Sequence, residues 1–276
     1  MGKKLSTDQI EAYERDGYLS PVNIFSEEEA ADLRARLEEA EARWPEAFAG
    51  AARNNAHYNI KVLDEIVHHE TLVDAVEDLI GPDILCYGSV LFIKEPRDAG
   101  FVSWHQDARY MGLEPYSGVT AWVALSPATV ESGCMRMIPG SHKEVIHEHT
   151  DTFGEDNLLT RGQDIVGLDE SRAVDTPLRP GQVSFHSMRT AHCSNPNRSD
   201  DRRIGVAIQC YMPPDVRQTL AKTHAQLVRG KDPFGHFAEA PRPAADMAPE
   251  SVSLRDEVNA AWSEILYAGA EKRRNL

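Results

Sequence analysis

At 276 residues, with 41% apolar and 26% charged residues, the chain has the composition of an ordinary globular protein and the length of one sizeable core, which excludes long disorder. Its formal net charge of −15 speaks against a nucleic-acid partner, which needs clustered Lys and Arg to neutralise phosphates. No apolar run reaches the ~18 residues of a membrane span, no h-region follows Lys3-Lys4, and Cys86, Cys134, Cys193 and Cys210 are scattered without C-x-x-C spacing, so no membrane partner, no secretory leader, no disulfide framework and a cytoplasmic location are expected.

Residues 1–82 read as a mostly helical flank. Ser6-Thr7-Asp8-Gln9 has the S-x-x-Q form of a capping box, with Ile10 and Tyr13 on one face and Gly17 as the stop. Ser26 and Glu29 repeat the device, Phe25 stapling onto Ala30, and Leu33, Leu37 and Ala40 carry an apolar stripe that Trp44-Pro45 ends. A third helix is predicted over Thr71–Ile80, stopped by Gly81-Pro82. Over residues 83–212, short apolar segments bounded by Gly, Pro, Asp or Ser predict strands at Asp83–Tyr87, Val90–Lys94, Phe101–His105, Val119–Leu125, Met135–Ile138, Gln182–His186 and Ile204–Tyr211. That order suits a double-stranded β-helix, the cupin-like jelly-roll barrel, and hence a mainly β fold with flanking helices as one domain over residues 1–276. Pro139-Gly140 and Pro180-Gly181 punctuate as turns, and the polar stretch 142–176 between them reads as a lid or substrate loop. Residues 213–276 return to loop and helix, with an amphipathic helix around Leu254–Tyr267 that packs on its own chain or serves a homodimer.

One tripeptide within the strands carries chemistry. Side chains at i and i+2 of an extended segment point the same way, so His105 and Asp107 of Trp104-His105-Gln106-Asp107 can reach one ion while Gln106 faces elsewhere. His192, in Thr190-Ala191-His192-Cys193-Ser194, can add a donor from a distant strand. Two imidazoles and a carboxylate make the facial triad of a non-haem Fe(II) site, with the opposite face of the metal open. By residue type the same set also suits a hydrolytic zinc, and an H-x-D tripeptide also arises as a strand-end histidine beside a solvated aspartate.

Flanking residues narrow the choice. Counting from His192, serine stands two on (Ser194), asparagine five on (Asn197) and arginine eleven on (Arg203); upstream run Thr120-Ala121-Trp122-Val123-Ala124-Leu125 and Ser132-Gly133-Cys134-Met135-Arg136-Met137-Ile138-Pro139-Gly140-Ser141-His142. With the H-x-D motif, these segments resemble the phytanoyl-CoA dioxygenase family of Fe(II)/2-oxoglutarate oxygenases, over about residues 7–240. The resemblance implies an enzyme that holds Fe(II) through His105, Asp107 and His192, takes 2-oxoglutarate and O2 as cosubstrates, and couples release of succinate and CO2 to hydroxylation of an unactivated C–H bond. It places Arg203 on the far carboxylate of 2-oxoglutarate, where a planar guanidinium can donate two parallel hydrogen bonds. Ser194 would donate another, with Trp122 and Thr120 lining the pocket. Read without the resemblance, Arg203 is a surface charge in Asp200-Asp201-Arg202-Arg203 and Trp122 is plain core. Halogenating relatives carry alanine or glycine where Asp107 stands, so oxygen insertion is implied instead.

The expected partner is a small-molecule substrate. Arg109, Lys61, Lys94 and the lid residue Arg161 are candidates for holding an anionic group, and Tyr58, Tyr110 or Trp104 for lying against an ammonium; each also reads as a solvated charge or a core aromatic. His186 falls on the ligand face as a second-sphere or substrate residue, while His142, His147 and His149 read as surface histidines. Closely similar H-Q-D and T-A-W-V-A-L segments occur in bacterial members that hydroxylate aminoalkylphosphonates and their N-methylated forms, which makes that substrate class the expectation, although Met111 replaces a frequent tryptophan. The alternatives are the same metal centre acting on a natural-product scaffold by hydroxylation, desaturation or cyclisation, and a non-catalytic metal-binding barrel.

Overall fold

Strand alternation sorts this chain into layers. The computed structural model describes residues 2–274, with α-helices α1 (Thr7–Asp16), α2 (Glu27–Arg43), α3 (Lys61–Val67), α4 (Glu70–Ile80) and α5 (Pro249–Leu266). Both capping boxes form: the hydroxyls of Ser6 and Ser26 accept from the backbone N–H of Gln9 and Glu29, whose side chains return to the cap N–H. Residues 213–276, expected as loop and helix, also contribute strands His224–Arg229 and Ala238–Glu239 to the larger of the two main sheets, and two elements of the N-terminal flank escape the sequence reading. Tyr18–Asn23 is an edge strand, a place where Pro21 is tolerated. Helix α3 is seven residues long, too short for its buried Val62, Leu63, Ile66 and Val67 to display a helical period. Helix α5 starts at Pro249 rather than near Leu254, with proline in its first turn, where no N–H is needed.

Two main sheets are built from β1 (Tyr18–Asn23), β2 (Ile84–Cys86), β3 (Ser89–Lys94), β4 (Val102–His105), β5 (Val119–Ala124), β6 (Met135–Met137), β7 (Val174–Thr176), β8 (Gln182–Ser187), β9 (His192–Ser194), β10 (Arg203–Met212), β11 (His224–Arg229) and β12 (Ala238–Glu239). The larger runs β1-β8-β5-β10-β2-β11-β12, with β3 also on β10, and the smaller runs β7-β6-β9-β4. In the larger sheet Trp122 stands opposite Ser184 on one side and Ala207 on the other. Val119, Ala121, Val123, Val183, Phe185, Ile204, Val206 and Ile208 therefore share one face, which packs on Leu33, Leu37, Leu63, Ile66, Leu72 and Val76 of α2 to α4. Fully burying each such aliphatic side chain contributes ~1.5–3 kcal/mol, so the helices commit this face to the core. The opposite face, carrying Trp122, Ala124 and Ala207, packs on Met135 and Met137 of the smaller sheet.

The stretch 142–176 is more ordered than its composition predicts: His149–Asp151 pairs with Gln163–Ile165, and β7 joins the smaller sheet. Among the described residues, no helix is long and apolar enough to cross a membrane.

Candidate active site

Three side chains, from β4, the turn that follows it and β9, converge between the sheets. Strand β4 ends at His105, but Gln106 stays extended (φ −122°, ψ 123°), so Asp107 keeps the parity of His105 before the chain bends into a 3₁₀ turn over Asp107–Arg109. His192 is the register partner of His105. One donor atom from each of His105, Asp107 and His192 lies within 4.8 Å of the other two, and all three residues are buried. The Nδ1 atoms of His105 and His192 each lie 2.9 Å from the carbonyl two residues back, that of Ser103 and Thr190. A proton donated there leaves each Nε2 lone pair free, as a metal requires.

Burial alone would push the Asp107 carboxyl up. The imidazoles of His105 and His186 outweigh it and hold that group well below the usual carboxylate range. Thr120 Oγ1 donates to Asp107 Oδ2 at 3.2 Å, so Thr120 orients the carboxylate as well as lining the chamber behind it. Burial, reinforced by His105 and His186, drives His192 well below the ordinary imidazole value and keeps it neutral. His186 Nε2 lies 3.8 Å from Asp107 Oδ2. His186 is 1% exposed, and neither ring nitrogen has a hydrogen-bond partner among the described residues. The structure thus sets it beside the three candidate ligands, as its spacing predicts.

Behind the triad is a small inner chamber lined by Phe92, Thr120, Trp122, Met135, His186, Ser194 and Arg203. Arg203 is 1% exposed and lies over the Trp122 ring, 5.1 Å from guanidinium carbon to centroid. Its Nη1 donates to the Gly133 carbonyl at 3.1 Å, while Nε and Nη2 have no partner among the described residues. Burial lowers its pKa to about 10, which leaves it charged at neutral pH. A buried charge with two idle donors is costly unless a ligand pairs with it, and a carboxylate fits that need. Gly205, next on the same face of β10, leaves the space that Trp122 fills, since a Cβ there would overlap the indole. Ser194 Oγ accepts from Lys94 Nζ at 2.8 Å and keeps its own proton to donate inward. Lys94 is not at the barrel mouth; it is fully buried and pins Ser194 and Asn195. Asn197 donates to the carbonyls of Lys94, Glu95 and Asp201, fastening the link from β9 to β10.

Phe92, His105 and Gln209 also border a larger outer chamber. Its walls are Tyr87, Val90 and Met111, the lid residues Leu158 and Leu159, and Trp262, Ile265 and Leu266 of α5. Most residues proposed for substrate contact lie elsewhere. Arg109 is exposed on its turn, because the strand parity that would have aimed it inward ends at Asp107. Lys61 is exposed at the start of α3, beside a surface groove with Arg36, Glu65 and Asp246. Tyr58 is fully buried in core packing with Val90 and Trp262. Arg161 pairs with Asp151, donates to the carbonyls of Leu266 and Ala268 and lies over Tyr110, so it ties the lid to the end of α5. Trp104 packs with Ile138 and Cys193. Of the candidate aromatics, Tyr110 does line the outer chamber. His149 is not a surface histidine: Nε2 accepts the Gln106 N–H at 3.1 Å and the ring meets Tyr110 edge-on at 5.3 Å.

The sequence reading missed Phe92, Gln209, Gln163, Trp262 and Arg53, all of which line the outer chamber. For two of them a signal existed. Phe92 follows Val90 at period two, and Gln209 continues the series Arg203, Gly205, Ala207 along β10.

A family model described as phytanoyl-CoA dioxygenase (PhyH) matches residues 13–205. A probable alpha-ketoglutarate-dependent hypophosphite dioxygenase of Stutzerimonas stutzeri is 27% identical over 217 residues, covering 71% of this chain and 75% of that protein. Among solved structures, the apo non-heme monooxygenase ThoJ superposes with a TM-score of 0.84 at 33% identity, covering 96% of this chain and all of that one. SnoK, a non-heme alpha-ketoglutarate-dependent carbocyclase from nogalamycin biosynthesis, superposes with a TM-score of 0.64 at 25% identity, covering 89% and 96% of the two chains. With a family match over most of its length and a mainly β fold shared with non-haem oxygenases, the chain belongs to the phytanoyl-CoA dioxygenase family and is a non-haem iron dioxygenase dependent on 2-oxoglutarate.

Proposed function

We propose that the two main sheets are those of a double-stranded β-helix, that His105, Asp107 and His192 hold the ferrous ion, and that Arg203, with Ser194, Thr120 and Trp122 around it, receives the far carboxylate of 2-oxoglutarate. Bound Fe(II) and 2-oxoglutarate supply, with O2, the oxidising chemistry that converts an unactivated C–H bond to C–OH while succinate and CO2 leave. The chain's own part is placement. The Ser103 and Thr190 carbonyls fix the two imidazoles, Thr120 turns the carboxylate, and Tyr87, Met111, Leu159 and Trp262 give the outer chamber apolar walls. The observation that carries this reading is the pair of idle Arg203 donors in a small chamber that shares His105 and His192 with the triad.

Of the two substrate readings, the lining of the outer chamber supports a largely apolar scaffold over an aminoalkylphosphonate. None of Arg109, Lys61 and Arg161 lines it, Arg53 is its single cation among the described residues, and Tyr87, Trp262, Met111 and Leu159 make up much of the rest. The carbocyclase among the similar structures points the same way. Anaerobic addition of Fe(II) and 2-oxoglutarate tests the centre through the visible charge-transfer band of chelated cosubstrate; a protein that stays colourless and binds neither would sink the proposal. Succinate release with 2-aminoethylphosphonate, its N-methylated forms and a panel of apolar scaffolds tests the substrate reading, and product mass separates hydroxylation from desaturation or cyclisation.

A further inference from the structure

The outer chamber has one feature that the metal centre does not use. Arg53 ends a 3₁₀ turn over Gly50–Arg53 and is the only Lys or Arg lining this chamber among the described residues. It is half-buried, burial lowers its pKa, and among the described residues no carboxylate or hydrogen-bond partner opposes that effect. In a chain with 44 acidic against 29 basic residues, a partly buried guanidinium with no carboxylate partner among the described residues is a group held open for a ligand. Its backbone is fixed. Asn259 of α5 donates to the carbonyls of Ala51 and Asn54 at 3.3 and 3.1 Å and accepts from Asn55 at 2.9 Å. In the same chamber Trp262, 4% exposed, stacks on Tyr87 with centroids 5.0 Å apart, and its Nε1–H has no acceptor among the described residues.

Resting on the oxygenase reading above, we propose that Arg53 is the anion-binding residue of the substrate chamber and that the substrate is an amphipathic carboxylate. Its apolar body lies along Tyr87 and Trp262, its carboxylate pairs with Arg53, and a carbon remote from that carboxylate is presented at the end bordered by His105 and Gln209. A single guanidinium with no lysine beside it matches a monoanionic carboxylate better than a dianionic phosphonate.

Equilibrium binding to the metal-free full chain tests this, using 4-phenylbutyrate, 4-phenylbutyramide and 3-phenylpropylphosphonate as probes followed by ligand-observed NMR. The acid is expected to bind about tenfold tighter than the isosteric amide, the size of one partly screened charge-assisted hydrogen bond, and no weaker than the phosphonate. Arg53→Gln should abolish the difference while leaving amide affinity unchanged, and Arg53→Lys should restore part of it. Saturating 2-oxoglutarate should not displace the acid, which separates this site from Arg203. Equal binding of acid and amide, a preference that survives Arg53→Gln, or displacement by 2-oxoglutarate would each overturn the assignment. The charge-transfer band, read on an aliquot of the same preparation after anaerobic addition of Fe(II) and 2-oxoglutarate, keeps the two readings apart: its absence counts against the metal centre, whereas its presence with no acid preference counts against Arg53 alone.

Discussion

His192 stands on the same rung of the smaller sheet as His105, with the two imidazole centroids 4.1 Å apart. One backbone register therefore sets the distance between two proposed ligands from remote parts of the sequence, and the extended Gln106 sets the third. The sheet, more than any loop, thus sets the geometry of the proposed metal site.

Asp107 supplies the negative charge of the site and accepts from Thr120. Asp107→Ala is expected to lower turnover by at least ~100-fold and to reduce iron retention, because two neutral imidazoles offer no charge to a hard cation. Iron content after gel filtration and succinate formation check this; a variant that keeps both full iron and full turnover would remove Asp107 from the ligand set.

Arg203→Gln should raise the 2-oxoglutarate requirement by roughly 100-fold, the loss of a bidentate charge-assisted contact of ~3 kcal/mol. Iron stoichiometry should hold, and the midpoint of thermal unfolding without cosubstrate should not fall, since a buried and incompletely paired charge is removed. An unchanged 2-oxoglutarate requirement would refute the placement of the cosubstrate.

Gly205→Ala should destabilise the protein by ~1–3 kcal/mol through overpacking and raise the 2-oxoglutarate requirement, because the new methyl pushes Trp122 toward Arg203. Combining it with Trp122→Phe, which removes the clashing edge, should recover much of the stability. Additive losses in chemical denaturation would show that the two residues do not compete for one space.

His149 links pH to stability. Burial pushes its pKa down to about 4, against the opposing hydrogen bond to the His147 carbonyl, while the unfolded value is ~6.5. Between these values the unfolded chain binds the extra proton, so stability rises with pH. The contribution is fully present above ~6.5 and is lost as pH falls toward 4, where protonation of Nε2 breaks the bond from the Gln106 N–H. For a half-buried ring the effect is of order 1 kcal/mol. His149→Gln should flatten the urea midpoint over that window relative to the parent chain; an identical pH slope would exclude the role.

How far the site could be read in advance follows from period. Alternation along an extended segment is local, so the shared direction of His105 and Asp107 and the parity of Ser194 with His192 were legible, while Thr120 and Trp122 were named only through the family resemblance. Where the chain leaves the extended state, the same rule misleads: Arg109 shares the numerical parity of Asp107 but sits on a turn and faces solvent. The lid and α5 gave no such handle. Leu158, Leu159, Trp262 and Arg53 meet only because loops and a distant helix fold onto one opening.

Arg202 and Arg203 show the division most plainly. Composition and neighbours make them equivalent, yet Arg202 turns outward to Glu41 and Glu95 while Arg203 turns inward over Trp122. The helix caps, the central strands of the larger sheet and the shared direction of His105 and Asp107 follow from the amino-acid sequence alone, because they depend on short-range backbone geometry, whereas Arg203, Thr120 and Trp122 were named only through the family resemblance. Tertiary structure alone decided the contents of the substrate chamber, since contacts between segments far apart in the chain depend on how whole layers pack and leave no periodic trace in any one of them.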